Sequence, residues 1–281
     1  MRTTSANTPR GILSPSSEAE GIAHARFPPS AALAPFVAHF WTVRWDLPDG
    51  RSFLAETLPH PCVHLLFERG RAQVAGLSTK VFRRRLRGRA RVFGVKFRPA
   101  AFHPFYGAPL SGLRDRAQSL STVFGQESHR LSHAILREPD VRVCVELAEA
   151  FLTARLPDLP PRTAALRDLV ERLAADKTIT RVEQAARLAG VDVRSLQRHF
   201  MKCVGLSPKW VIARYRLHEA AEQLSHPGPW DLAGLALELG YFDQPHFIRS
   251  FKAITGRPPG RHLARNAQRP AGAPREAASP R

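Results

Sequence analysis

No stretch of 18 uninterrupted apolar residues occurs in the chain, so no segment is expected to span a bilayer. Cysteine is scarce as well: Cys62, Cys144 and Cys203 are odd in number and widely scattered, which excludes a disulfide framework and suits a reducing compartment. The opening Met1 to Gly21 is rich in Ser, Thr and Pro and lacks the apolar stretch of a secretory leader, so a cytoplasmic protein is expected. A Walker-type phosphate loop, a nucleophile elbow and a close carboxylate pair are all missing. Neither an enzyme nor a cofactor is expected.

Acidic residues are also short in supply. Asp and Glu number 24 against 42 Lys and Arg, a net charge of +18 over 281 residues. That field draws the protein toward polyanions such as DNA, RNA or acidic lipid, without choosing among them. Both halves of the chain are basic, so charge does not locate the binding surface.

The length suits two domains. Residues 1–25 and 265–281 lack apolar periodicity and are expected to be disordered. Pro157, Pro160 and Pro161 mark a seam, which divides a domain at 26–161 from one at 162–264. The first reads as α+β: Val-, Leu- and Phe-rich runs such as PCVHLLFER, RAQVAGL and RARVFGVKFRP suit strands, and Val141, Val145, Ala148 and Leu152 follow at helical spacing. The second reads as all-α.

Within 162–264 a diverged repeat emerges. Ala186 and Gly190 recur 50 positions later as Ala236 and Gly240; after one inserted residue, Arg198, Phe200, Gly205 and Pro208 recur as Arg249, Phe251, Gly256 and Pro259. Each copy has the spacing of a helix-turn-helix: a small residue where two helices meet, a glycine to end the first helix in the left-handed region, and Asp192 or Asp243 to cap the next. Leu196, Phe200 and Cys203 in one copy, and Phe247, Phe251 and Ile254 in the other, form buried stripes. The opposite faces hold Arg194, Gln197, Arg198 and Lys202, then Gln244, His246 and Arg249. Arg and Gln are the side chains that pair bidentately with guanine and adenine in a major groove. Ser207-Pro208 starts a connecting helix that runs to Leu224.

Two stretches, LAGVDVRSLQRHFMKCVGLSPKWVIARYRLHEA and LALELGYFDQPHFIRSFKAITGRPPGRH, carry a family resemblance. Residues 162–264 resemble the DNA-binding domain of the AraC/XylS family of bacterial transcription regulators, two helix-turn-helix units joined by a linker helix. The resemblance implies sequence-specific binding of double-stranded DNA, with base contacts from Arg194, Gln197 and Arg198, and from Gln244, His246 and Arg249. Ser195, Lys202 and Lys252 are the backbone candidates. Pro245 departs from the pattern and gives up side-chain hydrogen bonding. RNA polymerase, a second copy of the chain and a small effector are the other partners the resemblance raises. Residues 26–161 would be its sensing or dimerising domain, and residues 162–264 a reading unit complete in itself.

Two further features stand in the N-terminal half. His60, Cys62 and His64 at period two would share one face of a strand, a partial zinc set without an evident fourth ligand. Pro61-Cys62 also resembles the reactive cysteine of Ada-type alkyltransferases, although Val63 interrupts the expected Pro-Cys-His-Arg run. Arg83, Arg85, Arg87, Arg89 and Arg91 alternate with smaller residues and would form a row of guanidinium groups on one face. Such a row suits an anionic effector, auxiliary DNA contact, an acidic partner, or a charged guard against edge pairing. An RNA-binding module is the remaining class; it would need exposed aromatics on a sheet, whereas the aromatics of the repeat lie on its buried stripe.

Overall fold

The structure, a computed structural model, describes residues 21–224 and 229–261. Seven strands come first: β1 (Ile22–Phe27), β2 (Val37–Asp46), β3 (Ser52–Thr57), β4 (His64–Glu68), β5 (Arg71–Ala75), β6 (Phe82–Arg87) and β7 (Arg89–Phe97). The short helix α1 (His103–Tyr106) precedes β8 (Ala117–Ser119), and α2 (Leu120–Phe124), α3 (Ser128–Arg137) and α4 (Val141–Thr153) follow. Six strands make one antiparallel sheet in the order β1-β2-β7-β4-β5-β8, while β3 and β6 pair separately.

Alternation along the strands gives this sheet two different faces. Phe40, Leu65, Phe67, Phe93, Val95 and Phe97 pack beneath the helices with Leu120, Leu131, Ile135, Cys144, Ala148 and Leu152. Trp41, Val43, Trp45 and Val92 point the other way and meet Phe53, Ala55 and Leu86 of the β3/β6 pair. The central strand β7 is therefore covered on both sides, which explains its nearly continuous apolar run Val92-Phe93-Gly94-Val95.

The remaining helices are α5 (Pro161–Ala175), α6 (Val182–Leu188), α7 (Val193–His199), α8 (Pro208–Gln223), α9 (Leu232–Glu238) and α10 (Gln244–Thr255). A π-helical turn, Phe200–Val204, extends α7. The proline seam falls between α4 and α5 as expected, yet the core runs through it. Leu166, Val170, Leu196, Phe200 and Val211 belong to the same buried cluster as Phe36, Phe97 and Phe102. A smaller cluster joins the end of α8 to α9 and α10 and includes Leu58, from the β3–β4 connection.

Four expectations change. Residues 22–25 are not part of a disordered leader, because β1 is fixed by pairing with β2 from Ile22↔Trp45 to Phe27↔Phe40. His60, Cys62 and His64 do not share a strand, since β4 begins only at His64 and Pro61 lies in the irregular segment before it. The five arginines do not form one row: Gly88 adopts φ +56 and breaks the run, leaving Arg83, Arg85 and Arg87 on β6 and Arg89 and Arg91 on β7, in separate sheets. Nor is residues 162–264 closed upon itself, given the shared core. The segments 1–20 and 262–281 lie outside the described residues.

Candidate nucleic-acid interface

Both copies of the repeat close by the same backbone bonds. Gly190 N–H donates to Arg187 O at 3.1 Å and Val191 N–H to Ala186 O at 3.1 Å; the counterparts are Gly240 to Leu237 at 3.0 Å and Tyr241 to Ala236 at 2.9 Å. Gly190 and Gly240 have φ of +63 and +79, a region where a side chain is strained. Ala186 and Ala236 are buried at the helix contact. The turn that sets the angle between paired helices is therefore built twice from the same parts.

The next helix in each copy is capped by aspartate. Asp192 accepts from Ser195 N–H at 2.8 Å, and Asp243 from His246 N–H at 2.6 Å. The Ser195 backbone bond, followed by the Ser195 side chain, holds the Asp192 carboxyl below the usual carboxylate range. Leu196, Phe200 and Cys203, and likewise Phe247 and Phe251, are buried, with Ile254 packed at the edge of its cluster. Their burial leaves the opposite sides of α7 and α10 facing solvent.

Arg194, Gln197, Arg198 and Lys202 are exposed together on α7 and its π-helical extension, with Ser195 half-buried among them. Arg198 Nη2 donates to Ser195 Oγ at 3.2 Å, a contact that lays the guanidinium along the helix. On α10, Pro245, His246, Arg249 and Lys252 are exposed, while Gln244 is half-buried and begins the helix. Ser207 Oγ accepts from Trp210 N–H at 3.2 Å to start α8, the connecting helix, with Pro208 in the first turn. Both copies thus present a cationic helix face beside their turn.

Two exposed apolar residues of this surface were given no role by the sequence. Phe242 is 88 % exposed in the turn directly before the Asp243 cap, and Leu237 is 66 % exposed on α9. Phe242 stands in the run Gly240-Tyr241-Phe242, where the repeat offset grows from 50 to 51.

The other candidate residues lie elsewhere. Arg83 pairs with Glu56 at 3.0 Å and donates to Thr255 O at 3.2 Å; Arg85 donates to Ser52 Oγ at 3.0 Å. The Arg87 carbonyl accepts from Trp45 Nε1 at 3.2 Å, and Arg89 lies 3.6 Å from Asp46. Arg91 donates to Ile135, Glu138 and Pro139 carbonyls at the end of α3. Cys62 is buried, and burial pushes its thiol upward, the reverse of what an alkyl-accepting thiolate requires. His60 turns its ring to His218 of α8 at 4.6 Å.

Residues 185–265 match the family model described as a helix-turn-helix domain, and residues 25–119 one described as a domain of unknown function, DUF6597. No curated protein matches the chain. Among solved structures, an AraC-type regulator from Chromobacterium violaceum is 24% identical, covers 37% of this chain and 93% of its own, and gives a TM-score of 0.33. The C-terminal domain of AraT from Geobacillus stearothermophilus is 21% identical over 42% of this chain and 96% of its own, with a TM-score of 0.35. ToxT from Vibrio cholerae is 9% identical over 80% and 98%, with a TM-score of 0.40. Scores this low add nothing to the assignment, which rests on the family match and the doubled turn. The protein is a helix-turn-helix DNA-binding protein. It carries that domain behind a DUF6597 domain. Among the described residues no helix is long and apolar enough to cross a membrane.

Proposed function

We propose that the protein reads duplex DNA by placing α7 and α10 in successive major grooves on one side of the helix, with α8 as the spacer between them. The observation that carries this reading is the pairing of Arg198 with Arg249: repeat-equivalent, both exposed, each on the helix that follows a left-handed glycine turn. Arg194, Gln197 and Arg198 read bases in one groove; Gln244, His246 and Arg249 read them in the other. Ser195, Lys202 and Lys252 hold the phosphates. Pro245 leaves the second helix with fewer polar contacts, and Phe242 compensates by apolar contact with a thymine methyl group. The N-terminal domain modulates this binding, through a small effector or a second copy of the chain, and RNA polymerase is the partner on which the outcome acts.

The test is selection of bound sequences from a random duplex pool by the full-length protein. A site with two conserved blocks about one helical turn, ~34 Å, apart is expected. Arg198→Ala and Arg249→Ala should each cost about 1–3 kcal/mol and relax preference within a single block. Uracil in place of thymine should weaken binding at one position in the Arg249 block, and Phe242→Ala should erase that difference. Preference for single-stranded RNA, or no preference among duplexes at moderate salt, overturns the reading.

A further inference from the structure

The candidate reading helix of each unit ends in the same way. Gly205 and Gly256, equivalent in the repeat, both adopt φ +79; Gly205 N–H donates to Phe200 O at 2.7 Å and Gly256 N–H to Lys252 O at 2.8 Å. Such an end leaves carbonyls without a partner in the helix and carries the negative pole of its dipole. Each end is met by an arginine of the N-terminal domain. Arg114 Nη2 donates to Gly205 O and Arg83 Nη2 to Thr255 O, both at 3.2 Å. Both glycines are closely fitted there: a Cβ at Gly205 would strike Leu77 and the Leu110 carbonyl, and one at Gly256 would strike the Arg83 guanidinium.

At the second end a buried charge adds to the fit. Glu56 of β3 is 1 % exposed. Its carboxylate accepts from Arg83 Nε at 3.0 Å, on the neighbouring strand β6, and from Arg257 Nη2 at 3.1 and 3.2 Å. Arg257 follows α10 closely, and the buried Thr255 hydroxyl accepts from its N–H at 3.3 Å, which ties the guanidinium to the helix end. Leu58 and Val81, beside the β3/β6 pair, enter the apolar cluster of α8, α9 and α10. A buried carboxylate is costly unless paired, and here the pairing joins two domains. Arg194, Gln197, Arg198, His246 and Arg249 take no part in these seats and stay exposed.

We propose that the N-terminal domain sets the distance between α7 and α10 by seating both at their C-terminal ends, with Glu56 as the positioning residue that locks the second. The inference rests on α7 and α10 as base-reading helices. Along the chain α8 is the spacer between the two units, and the seats brace them a second time through a domain that neither unit contains. A buried ion pair contributes more to one unique arrangement than to stability, so its loss should loosen the spacing rather than unfold the protein.

The first measurement is made without DNA. Spin labels at Ala253→Cys on α10 and His133→Cys on α3, both exposed sites in a chain whose described cysteines are buried, report the distance between the second unit and the N-terminal domain in the full-length protein. One narrow distance is expected, broadening in Glu56→Met and in Arg257→Met; the second variant leaves Glu56 paired with Arg83 and so keeps the test open if the first fails to fold. The second measurement is binding to the selected duplex with one base pair added between its two blocks, which moves the far groove by ~3.4 Å. The parent protein should bind this duplex about tenfold more weakly than the original, and the loosened variants less than about threefold more weakly. Distances that stay narrow in the variants overturn the proposal, and so does a spacing penalty that the variants keep in full. Broadening alongside a parent protein indifferent to spacing supports the seat and overturns the base-reading assignment instead.

Discussion

At Arg91 one guanidinium serves three carbonyls at the end of α3: Pro139 at 3.0 Å, Ile135 at 3.3 Å and Glu138 at 2.5 Å. Charge-assisted bonds to the negative end of a helix are strong, so Arg91→Met should destabilise the protein by about 1–3 kcal/mol. Arg85 makes one exposed bond, to Ser52, and Arg85→Met should stay within about 0.5 kcal/mol. Denaturant midpoints of the two variants check this; equal losses would mean that the arginines act as a set. Their alternation was legible as strand, and both halves are strands. The division of labour was not, because it depends on Gly88 turning the chain from one sheet to the other and on carbonyls some 45 residues away. The same holds for His60 and His64, whose neighbours on Lys96 and α8 no local spacing announces.

At the scale of elements, the capping aspartates separate stability from recognition. Asp192→Ala or Asp243→Ala removes the acceptor for one orphan backbone N–H, and each should lower the unfolding midpoint. Because each cap begins a candidate reading helix, each variant should also weaken DNA binding more than a surface change on α3 of equal thermal cost. Parallel unfolding and binding measurements would show it, and binding loss no greater than in the α3 control would count against α7 and α10 as reading helices. These helices were found from sequence because their signals are local: Gly190 and Gly240, Asp192 and Asp243, Ser207 before Pro208 all act within a few residues. The β3/β6 pair and β1 were not, since partners lie 30 residues apart or owe their place to the opposing sheet. Phe242 was passed over for a related reason: an aromatic in a turn reads as core until its exposure is seen.

For the whole molecule, the imidazoles at the junction between sheet and α8 predict an acid-sensitive fold. Burial is the first cause holding His39, His64 and His218 below the ordinary histidine range, reinforced by Lys96 for His39 and His64 and by His60 and Arg214 for His218. The folded protein thus keeps these rings neutral where the unfolded chain takes up protons. Stability is full above the ordinary value of about 6.5 and falls below it, by at most about 1.4 kcal/mol per pH unit for each ring. Urea midpoints at pH 7.5, 6.0 and 5.0 should decrease in that order; a flat or rising series would show that the rings charge freely in the folded state. The shared core has a different kind of consequence. Leu77 and Leu110 crowd against Gly205, and Arg114 donates to its carbonyl, so the first helix-turn-helix unit is moulded to one particular neighbour. Two stretches that match separate family models therefore share one fitted surface in this protein, and joining either half at the proline seam to an unrelated partner should leave that surface ill-packed.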